Sequence, residues 1–362
     1  MDIHALLRLS AVPRIGPQKI RALIAHFRTP QEVLKAPPRE LIRVTGIERK
    51  LASAIAHFRD GQRFADDQMR RMQRSGARVV TYWDEEFPDL LRKTYDPPAL
   101  LFVLGSFTPA DAVAVAIVGT RAPSPYGEQT AARLAEDLAR SGITSVSGLA
   151  RGIDTVAHVS ALSAGGRTIA VIGSGLDVPY PPENRRLMEK IAATAAVASE
   201  VPMGTKPDAV NFPRRNRVIS GLSLGTVVVE SAEDGGAMIT ASMALDQDRE
   251  VFAVPGCITE RRSVGPNRLI QRGHAKLILG TEDVLEELRL HRGPGARETP
   301  AASADLTLFE RSVYDALGTS PIHIDTLAAA CGLSTSDTLV SLLTLEFKGL
   351  VRQTVGKMFS RT

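Results

Sequence analysis

Residues 211–230 read NFPRRNRVISGLSLGTVVVE, and the prediction of the fold starts from this stretch. Thr226–Val229 is a β-branched run that is too apolar for solvent and too short for a helix, so it predicts a buried strand. Arg214, Arg215 and Arg217 lie just before a short helical pattern that leads into this strand. Three guanidinium groups so close together belong either to an anion site or to a solvated surface turn. The neighbouring motifs favour the anion site.

From Arg78 onward, short apolar runs alternate with helical patterns. This alternation, with nearly continuous apolar strands, is typical of a parallel sheet covered by helices on both faces. We therefore predict an α/β domain over residues 76–290, an extended Rossmann-like doubly wound parallel sheet with residues 78–111 as its entry strands. The later predicted strands are 113–118, 144–146, 168–172, 196–198, 226–229, 251–254 and 277–278.

A small all-helical domain is predicted for residues 1–75. Two turns in it, Val12–Lys19 and Val44–Lys50, each place a glycine at a helix start with Lys or Arg close behind. They resemble the helix-hairpin-helix turn, in which free backbone amides face a DNA phosphate. A helical interaction module without DNA contact would have the same pattern, so both interpretations stay open.

The C-terminal part of the chain predicts a linker and a winged-helix domain. Residues 291–305 are rich in Pro, Gly, Ala and Ser, as linkers are. Residues 306–362 fit three helices followed by a hairpin wing with Gly356. The third helix, Ser334–Glu346, contains no Lys or Arg, which favours a protein contact or a vestigial role over the reading of duplex DNA.

Four glycine- or arginine-rich segments are predicted near strand ends, where ligands bind in doubly wound sheets. They are Val118–Arg121, Ser147–Asp154, Gly173–Asp177 and Phe212–Arg217. Glycine lets the backbone approach a phosphate closely, and arginine offers paired donors for its oxygens. We expect these segments to line one concave edge that carries Arg121, Arg151, Arg214, Arg215 and Arg217.

Other site chemistry finds little support in the sequence. The run that begins Gly173-Ser174-Gly175 has Val178 where a dinucleotide fingerprint needs its third glycine, and no P-loop motif is present. Asp154 and His158 are four residues apart, but no nucleophile accompanies them, so we expect a local cap and an internal hydrogen bond rather than an acid/base pair. We expect Glu230 to pair with a guanidinium. No cofactor and no metal site is predicted.

The composition of the chain limits the classes of protein to which it can belong. The chain has 362 residues, 44% of them hydrophobic, and a formal net charge of +4, so nucleic acid is a permitted partner. The absence of a long apolar run and of a signal-peptide pattern predicts no membrane association. Only Cys257 and Cys331 are present, which predicts a reducing, cytoplasmic location with both cysteines as core filler.

Several motifs occur in an order that resembles the DNA-processing protein A family, also called Smf. They are VGTR (118–121), SGLARGID (147–154), GSGLDVPYPPEN (173–184) and NFPRRNRVISGLS (211–223), followed by VPG (254–256). The resemblance extends from about residue 114 to 278. That family is similar in layout, with a SAM-like or helix-hairpin-helix N-terminal domain, an extended Rossmann core and often a C-terminal winged helix.

The resemblance implies a non-enzymatic protein of natural transformation. Such a protein binds and protects single-stranded DNA, forms homodimers through its Rossmann domain and loads the RecA recombinase. Many relatives carry a lysine where this chain has Pro182, so one phosphate contact is missing or is supplied by Arg185 or Arg186. Carried over residue by residue, the DNA site comprises Gly119, Arg121, Gly148, Arg151, Gly173, Gly175, Phe212, Arg214, Arg215, Asn216 and Arg217.

Two other function classes stay open at this point. A Rossmann-type nucleotide hydrolase, similar to phosphoribohydrolases, would carry the signature PGGxGTxxE. Here Ser223–Thr226 leads to Val229 and Glu230, but the paired glycines and their proline are absent. A signalling or scaffold protein that holds partners through its winged helix is the third class, and it is compatible with DNA binding.

Overall fold

Two units make up the part of the chain that the computed structural model describes, namely residues 1–290, 306–318, 321–348, 350–354 and 356–361. The boundary between the units falls between residues 296 and 297, inside the predicted linker 291–305, which lies outside the described residues.

Prolines and a capping aspartate set where the N-terminal helices begin. The Asp2 side chain accepts a hydrogen bond from the Ala5 amide at 3.0 Å. Pro17, Pro30 and Pro38 each occupy the first position of a helix, where a missing N–H removes no helical hydrogen bond. The helices are α1 (Ile3–Ser10), α2 (Pro17–Phe27), α3 (Pro30–Lys35), α4 (Pro38–Leu41), α5 (Arg49–His57) and α6 (Gly61–Ser75).

A nine-stranded, mostly parallel sheet follows, as the alternation of apolar runs predicts. Its order is β1-β2-β6-β5-β4-β3-β7-β8-β9, and only the β1–β2 and β2–β6 pairs are antiparallel. The strands are β1 (Arg78–Thr81), β2 (Leu100–Gly105), β3 (Ala114–Val118), β4 (Thr144–Ser147), β5 (Thr168–Ile172), β6 (Ala196–Ser199), β7 (Gly225–Val228), β8 (Glu250–Ala253) and β9 (Lys276–Leu277).

Helices connect these strands and cover both faces of the sheet. Strand β3 shows why both faces need cover, because Ala116 and Ile117 point to opposite sides and each is fully buried in a different apolar cluster. The helices are α7 (Asp89–Arg92), α8 (Pro125–Arg140), α9 (Ile153–Ser163), α10 (Arg185–Thr194), α11 (Asn211–Gly221), α12 (Gly236–Asp246), α13 (Val264–Gln271) and α14 (Thr281–Glu287).

The N-terminal helices share a hydrophobic core with the sheet. Leu6 and Leu23 of the helical segment belong to the same buried cluster as Phe102 of β2, Ile172 of β5 and Val197 of β6. Burial of this apolar surface is the main favourable term that holds the helices on the sheet.

The start of α11 differs from the prediction. The three arginines of residues 214–217 were expected before a helix, but α11 already begins at Asn211, so they lie in its first two turns. Pro213 does not prevent this, because an amide in the first turn has no helical acceptor to lose. The helix therefore directs successive arginines to different sides.

The second unit is a winged helix, as predicted. Its small antiparallel sheet has the order β10-β12-β11, and its core includes Leu327, Leu345 and Phe359. The elements are α15 (Leu308–Ala316), β10 (Ile322–His323), α16 (Ile324–Cys331), α17 (Thr335–Phe347), β11 (Val351–Thr354) and β12 (Met358–Arg361).

Two expectations from composition have structural outcomes. Within the described ranges, no single helix is long and apolar enough to cross a membrane. The two helices α16 and α17 are together long and apolar enough, but they meet at an angle of 105°.

The prediction that both cysteines fill the core was wrong for Cys257. It lies exposed after β8, with its Sγ 3.0 Å from Thr259 Oγ1.

Candidate functional site

A crevice opens at the carboxyl-terminal edge of the sheet, where the strand order changes direction. The chain leaves β3 toward β4 on one side and returns to β7 on the other, and such a switch point is where doubly wound sheets bind ligands. Two adjoining cavities lie there and share Arg121, Phe212 and Arg215. We call them the β4–β5 cavity and the β3–β7 cavity, and together the sheet-edge crevice.

Most of the predicted site residues line this crevice. The β3–β7 cavity, of about 340 Å³, is also lined by the loop after β7, including Gly235 and Gly236, which the sequence analysis did not place in the site. Applying the strand-end argument to β7 would have included them. The predicted residues found at one or both cavities are Gly119, Arg121, Gly148, Arg151, Gly173, Phe212, Arg215 and Asn216.

The mouth of the β4–β5 cavity combines a cation with two aromatic rings. The Arg121 guanidinium lies 5.3 Å from the centroid of the Phe212 ring, and the Tyr180 ring is 6.1 Å from that of Phe212. Arg121 is exposed and Phe212 is half-buried. A guanidinium stacked on an accessible ring can present its charge to an anion while the ring remains near for a flat apolar group.

Arg215 lies beneath this mouth and is only 8% exposed. Its Nη1 donates to the Val171 carbonyl oxygen at 3.0 Å. An ideal Cβ placed on Gly148 would lie 1.4 Å from the same Nη1, so only glycine leaves room for the guanidinium. Gly148 is therefore needed because the Arg215 side chain, a group of the protein itself, packs closely against the backbone of this loop.

Asp154 and His158 point inward and form no acid/base pair, as predicted. The Asp154 carboxylate accepts hydrogen bonds from the amides of Gly148 and Ala150, at 3.1 and 3.3 Å, and so fixes the loop after β4. Burial raises the pKa of Asp154, and the nearby Arg215 charge opposes that rise. His158 Nδ1 is 2.7 Å from Thr168 Oγ1, inside the core.

Arg151 lines the β4–β5 cavity, and Asn216 lines the β3–β7 cavity. Arg151 is exposed and forms an ion pair with Glu183, a carboxylate that the sequence analysis did not connect with the site. Asn216 is buried, and its side-chain amide donates to the Gly236 carbonyl oxygen at 3.3 Å. Asn216 therefore links α11 to the start of α12.

The prediction that all five arginines line one edge was wrong for Arg214 and Arg217. Arg214 is exposed and lines neither cavity. Arg217 lies one helical turn further on, where its guanidinium donates to Glu200 and to the Asp96 carbonyl oxygen. Gly175 also lies outside the crevice, with its amide bonded to the Thr205 carbonyl oxygen at 2.9 Å.

Glu230 likewise has a different partner from the predicted guanidinium. Its carboxylate accepts hydrogen bonds from the amide and the hydroxyl of Ser124, the N-cap residue of α8. A carboxylate at a helix N-terminus is stabilised by the helix dipole. Glu230 therefore anchors α8. Among the described residues, no group of three or more His, Cys, Asp or Glu side chains is placed to hold a metal ion.

Comparison with known proteins identifies the family. A family model described as DNA recombination-mediator protein A matches residues 78–289. The chain belongs to the DNA-processing protein A family. A DprA winged helix domain model matches residues 297–357, and a SAM-like helix-hairpin-helix tandem model matches residues 6–57. The resemblance stated from the motifs is thus confirmed.

Relatives and solved structures agree with this assignment. Protein Smf of Escherichia coli is 36% identical over 98% of this chain and 95% of its own length. DNA processing protein DprA of Bacillus subtilis is 45% identical over 59% of this chain and 72% of its own length.

The structure of DprA from Streptococcus pneumoniae is similar, with a TM-score of 0.71 and 33% identity over 80% of this chain and 99% of that one. A Helicobacter pylori DprA structure that describes a single-stranded DNA binding mode has a TM-score of 0.53 and 30% identity, over 59% of this chain and 95% of that one.

A histidine titration should appear in the pH dependence of stability. Burial, with a smaller contribution from Arg215, lowers the pKa of His158 from 6.5 to about 3. Between these values the unfolded chain binds a proton that the folded chain excludes, so the free energy of unfolding falls with decreasing pH, by up to about 1.4 kcal/mol per unit. His158→Asn lacks this term, so urea unfolding should show its stability converging with wild type as the pH falls from 7 to 4. Parallel curves would contradict it.

A methyl group at position 148 should destabilise the protein through Arg215. Gly148→Ala is expected to lower the free energy of unfolding by about 1–3 kcal/mol, because the buried guanidinium must move. Gly236→Ala is the control, since its Cβ meets nothing within 4 Å. In an Arg215→Ala background the Gly148→Ala penalty should shrink, as measured by a double-mutant cycle in urea. Strict additivity would show that the clash is not with Arg215.

Proposed function

We propose that this chain binds single-stranded DNA in the sheet-edge crevice and acts in DNA processing during natural transformation. The observation that carries the proposal is the Arg121 guanidinium stacked on Phe212, with Arg151 and Arg215 lining the same cavity. Arginine binds phosphate oxygens, and an exposed ring stacks a base. The single-stranded DNA binding mode described for the similar Helicobacter pylori protein supports the same ligand.

The chemistry of the crevice favours a single strand bound with little sequence preference. A ring such as Phe212 stacks only on a base whose face is free, which excludes bases paired and stacked within a duplex. Arg121 is an exposed cation that can bind a phosphate directly, whereas Arg151 must exchange its Glu183 partner for one. Phosphates carry no sequence information. Binding should therefore weaken steeply with salt, since each phosphate contact releases counterions.

The proposed role is binding without catalysis. The two side chains that sequence spacing offers as an acid/base pair, Asp154 and His158, are both buried and engaged in internal hydrogen bonds. This arrangement supports a binding site over the hydrolase alternative.

We further propose that the bound strand is protected in the cytoplasm and transferred to the RecA recombinase. The support is the description of the matched family as a recombination mediator. The test is whether the chain accelerates RecA filament formation on DNA that is coated with single-strand-binding protein. A rate equal to that without the chain would remove this part of the proposal.

A homodimer through the Rossmann-like sheet is also proposed. Strand β9 is the last strand of the sheet order, and an edge strand offers unpaired backbone groups to another chain. Leu277 is 42% exposed and Leu279 83% exposed at this edge. Leu279 also lines a cavity of about 260 Å³ with Tyr126 and Pro255. Apolar side chains beside an open edge support a second copy of the chain as the partner.

Removal of the two exposed crevice cations should weaken DNA binding. For Arg121→Ala with Arg151→Ala, we expect the affinity for oligothymidylate to fall roughly 5- to 10-fold per arginine. The slope of log affinity against log salt should decrease by about 1.4, at about 0.7 per phosphate contact on a single strand. Fluorescence anisotropy at several salt concentrations, with a matched duplex alongside, measures both quantities.

The matched control is Arg140→Ala with Arg289→Ala. It removes the same charge from exposed residues that line neither cavity. Equal losses of affinity in the two double variants would show that the effect comes from net charge alone. Wild-type affinity in Arg121→Ala with Arg151→Ala would show that DNA binds elsewhere on the protein.

Disruption of the apolar sheet edge should separate the dimer. Leu279→Asp places a charge on a residue that is exposed in the single chain, so folding should be unaffected while association is lost. Light scattering after size exclusion should give a dimer for wild type and a monomer for the variant. Leu245→Asp, exposed at 38% on α12, is the control. A dimeric Leu279→Asp variant would exclude this edge.

A further inference from the structure

A second basic groove lies between α6 of the helical segment and α10 of the sheet region. It has a volume of about 630 Å³ and is lined by four arginines and three carboxylates, those of Asp67, Asp177 and Glu189. Three of them, Arg70, Arg71 and Arg74, come from α6, and Arg185 comes from the start of α10. We call it the α6–α10 groove. None of these arginines belongs to the motifs that predicted the sheet-edge crevice.

Arg71 is a fixed structural member of this groove. Its Nε donates to Asp67 Oδ2 at 2.7 Å, and its Nη1 donates to Asp177 Oδ2 at 3.0 Å. These hydrogen bonds raise the pKa of Arg71 above its ordinary value. Asp177 in turn accepts from the Gly204 amide at 2.6 Å. The Arg71 charge therefore ties α6 to the loop after β5 and is already neutralised.

Arg74 and Arg185 have no such partner. Both are exposed, and within the described residues neither lies within ion-pair distance of a carboxylate. Arg70 is 3.3 Å from Asp67, but that carboxylate also holds Arg71. Arg70 and Arg74 are four residues apart and therefore face the same side of α6. Asp67 and Asp177 are occupied by Arg71, so Glu189 is the carboxylate of the lining that faces the two unpaired guanidinium groups of Arg74 and Arg185. Two unpaired guanidinium groups against one carboxylate favour an anionic ligand.

The groove and the sheet-edge crevice lie on either side of the loop after β5. Tyr180 of this loop lines the crevice, and its neighbour Pro179 lines the groove. A strand that leaves the crevice past Tyr180 would reach Arg185 and then the arginine face of α6. Leu176 and Met188 also line the groove, but both are almost fully buried. Arg185, expected to replace a lysine missing at position 182, thus belongs to this groove.

We propose that the α6–α10 groove binds the phosphates of nucleotides that flank those in the sheet-edge crevice. This inference rests on the proposed function. The helical segment, residues 1–75, would then contact DNA through α6 rather than through its turns Val12–Lys19 and Val44–Lys50. The position of the groove next to the crevice, across the loop after β5, favours a nucleic acid over an acidic peptide.

The experiment compares oligothymidylates of about 6 and about 20 nucleotides, one near the short end of the range of roughly 4–16 nucleotides for a single-strand site and one beyond its long end. Arg74→Ala with Arg185→Ala is tested against wild type and against Arg140→Ala with Arg289→Ala, two exposed residues that line neither the groove nor the crevice. The short strand should bind all three proteins equally. The long strand should lose roughly 5- to 10-fold in affinity per arginine in the groove variant alone, and its salt slope should fall by about 1.4. Arg74→Lys with Arg185→Lys should retain most of that slope.

Each of the other possible results of this experiment would overturn a different part of the proposal. Equal gains in affinity with strand length for wild type and the groove variant would exclude the groove from DNA binding. Equal losses for short and long strands would make it the primary site rather than a flanking one. A polyglutamate peptide that binds wild type but not the groove variant, with the length dependence intact, would assign the groove to an acidic partner. Failure of wild type to bind either strand would instead reject the proposed function.

Discussion

The sheet-edge crevice depends on one buried cation. Arg215 is almost fully buried, and a buried charge is tolerated only when hydrogen bonds and an opposite charge compensate for lost water. Val171 at the end of β5 supplies a carbonyl oxygen, and Asp154 supplies the opposite charge. Because Asp154 also holds the amides of the loop after β4, one electrostatic arrangement joins α11 to two strand ends. The crevice is therefore formed before any ligand arrives, which reduces the entropy lost on binding.

Arginines of a single motif have environments that the sequence cannot distinguish. Arg214, Arg215 and Arg217 lie within four residues, yet Arg214 is exposed, Arg215 lies under the crevice and Arg217 pairs with Glu200. The division follows from helix geometry, since residues in successive positions point about 100° apart. On α6 the same division separates Arg71, which is engaged by two carboxylates, from Arg74.

The fold was largely predictable, because the apolar runs of the strands are local signals. β3, β5 and the winged helix lie where periodicity placed them. Crevice residues that follow directly after a strand were predictable, and Gly119, Arg121 and Gly148 are examples. Long-range partners were not predictable. Glu230 bonds Ser124, 106 residues earlier in the chain, and no spacing rule encodes that contact.

The helical segment matches a family model of its own, which suggests a separable module. Its packing indicates otherwise, because Leu6 and Leu23 share a core with Phe102 and Val197 of the sheet. Cutting the chain after residue 75 would leave an apolar surface on β2 and β6 facing water, and such surfaces promote aggregation. The segment that matches its own family model therefore does not coincide with a unit that has its own core. A shortened version meant to isolate the sheet would need new polar residues on the uncovered face.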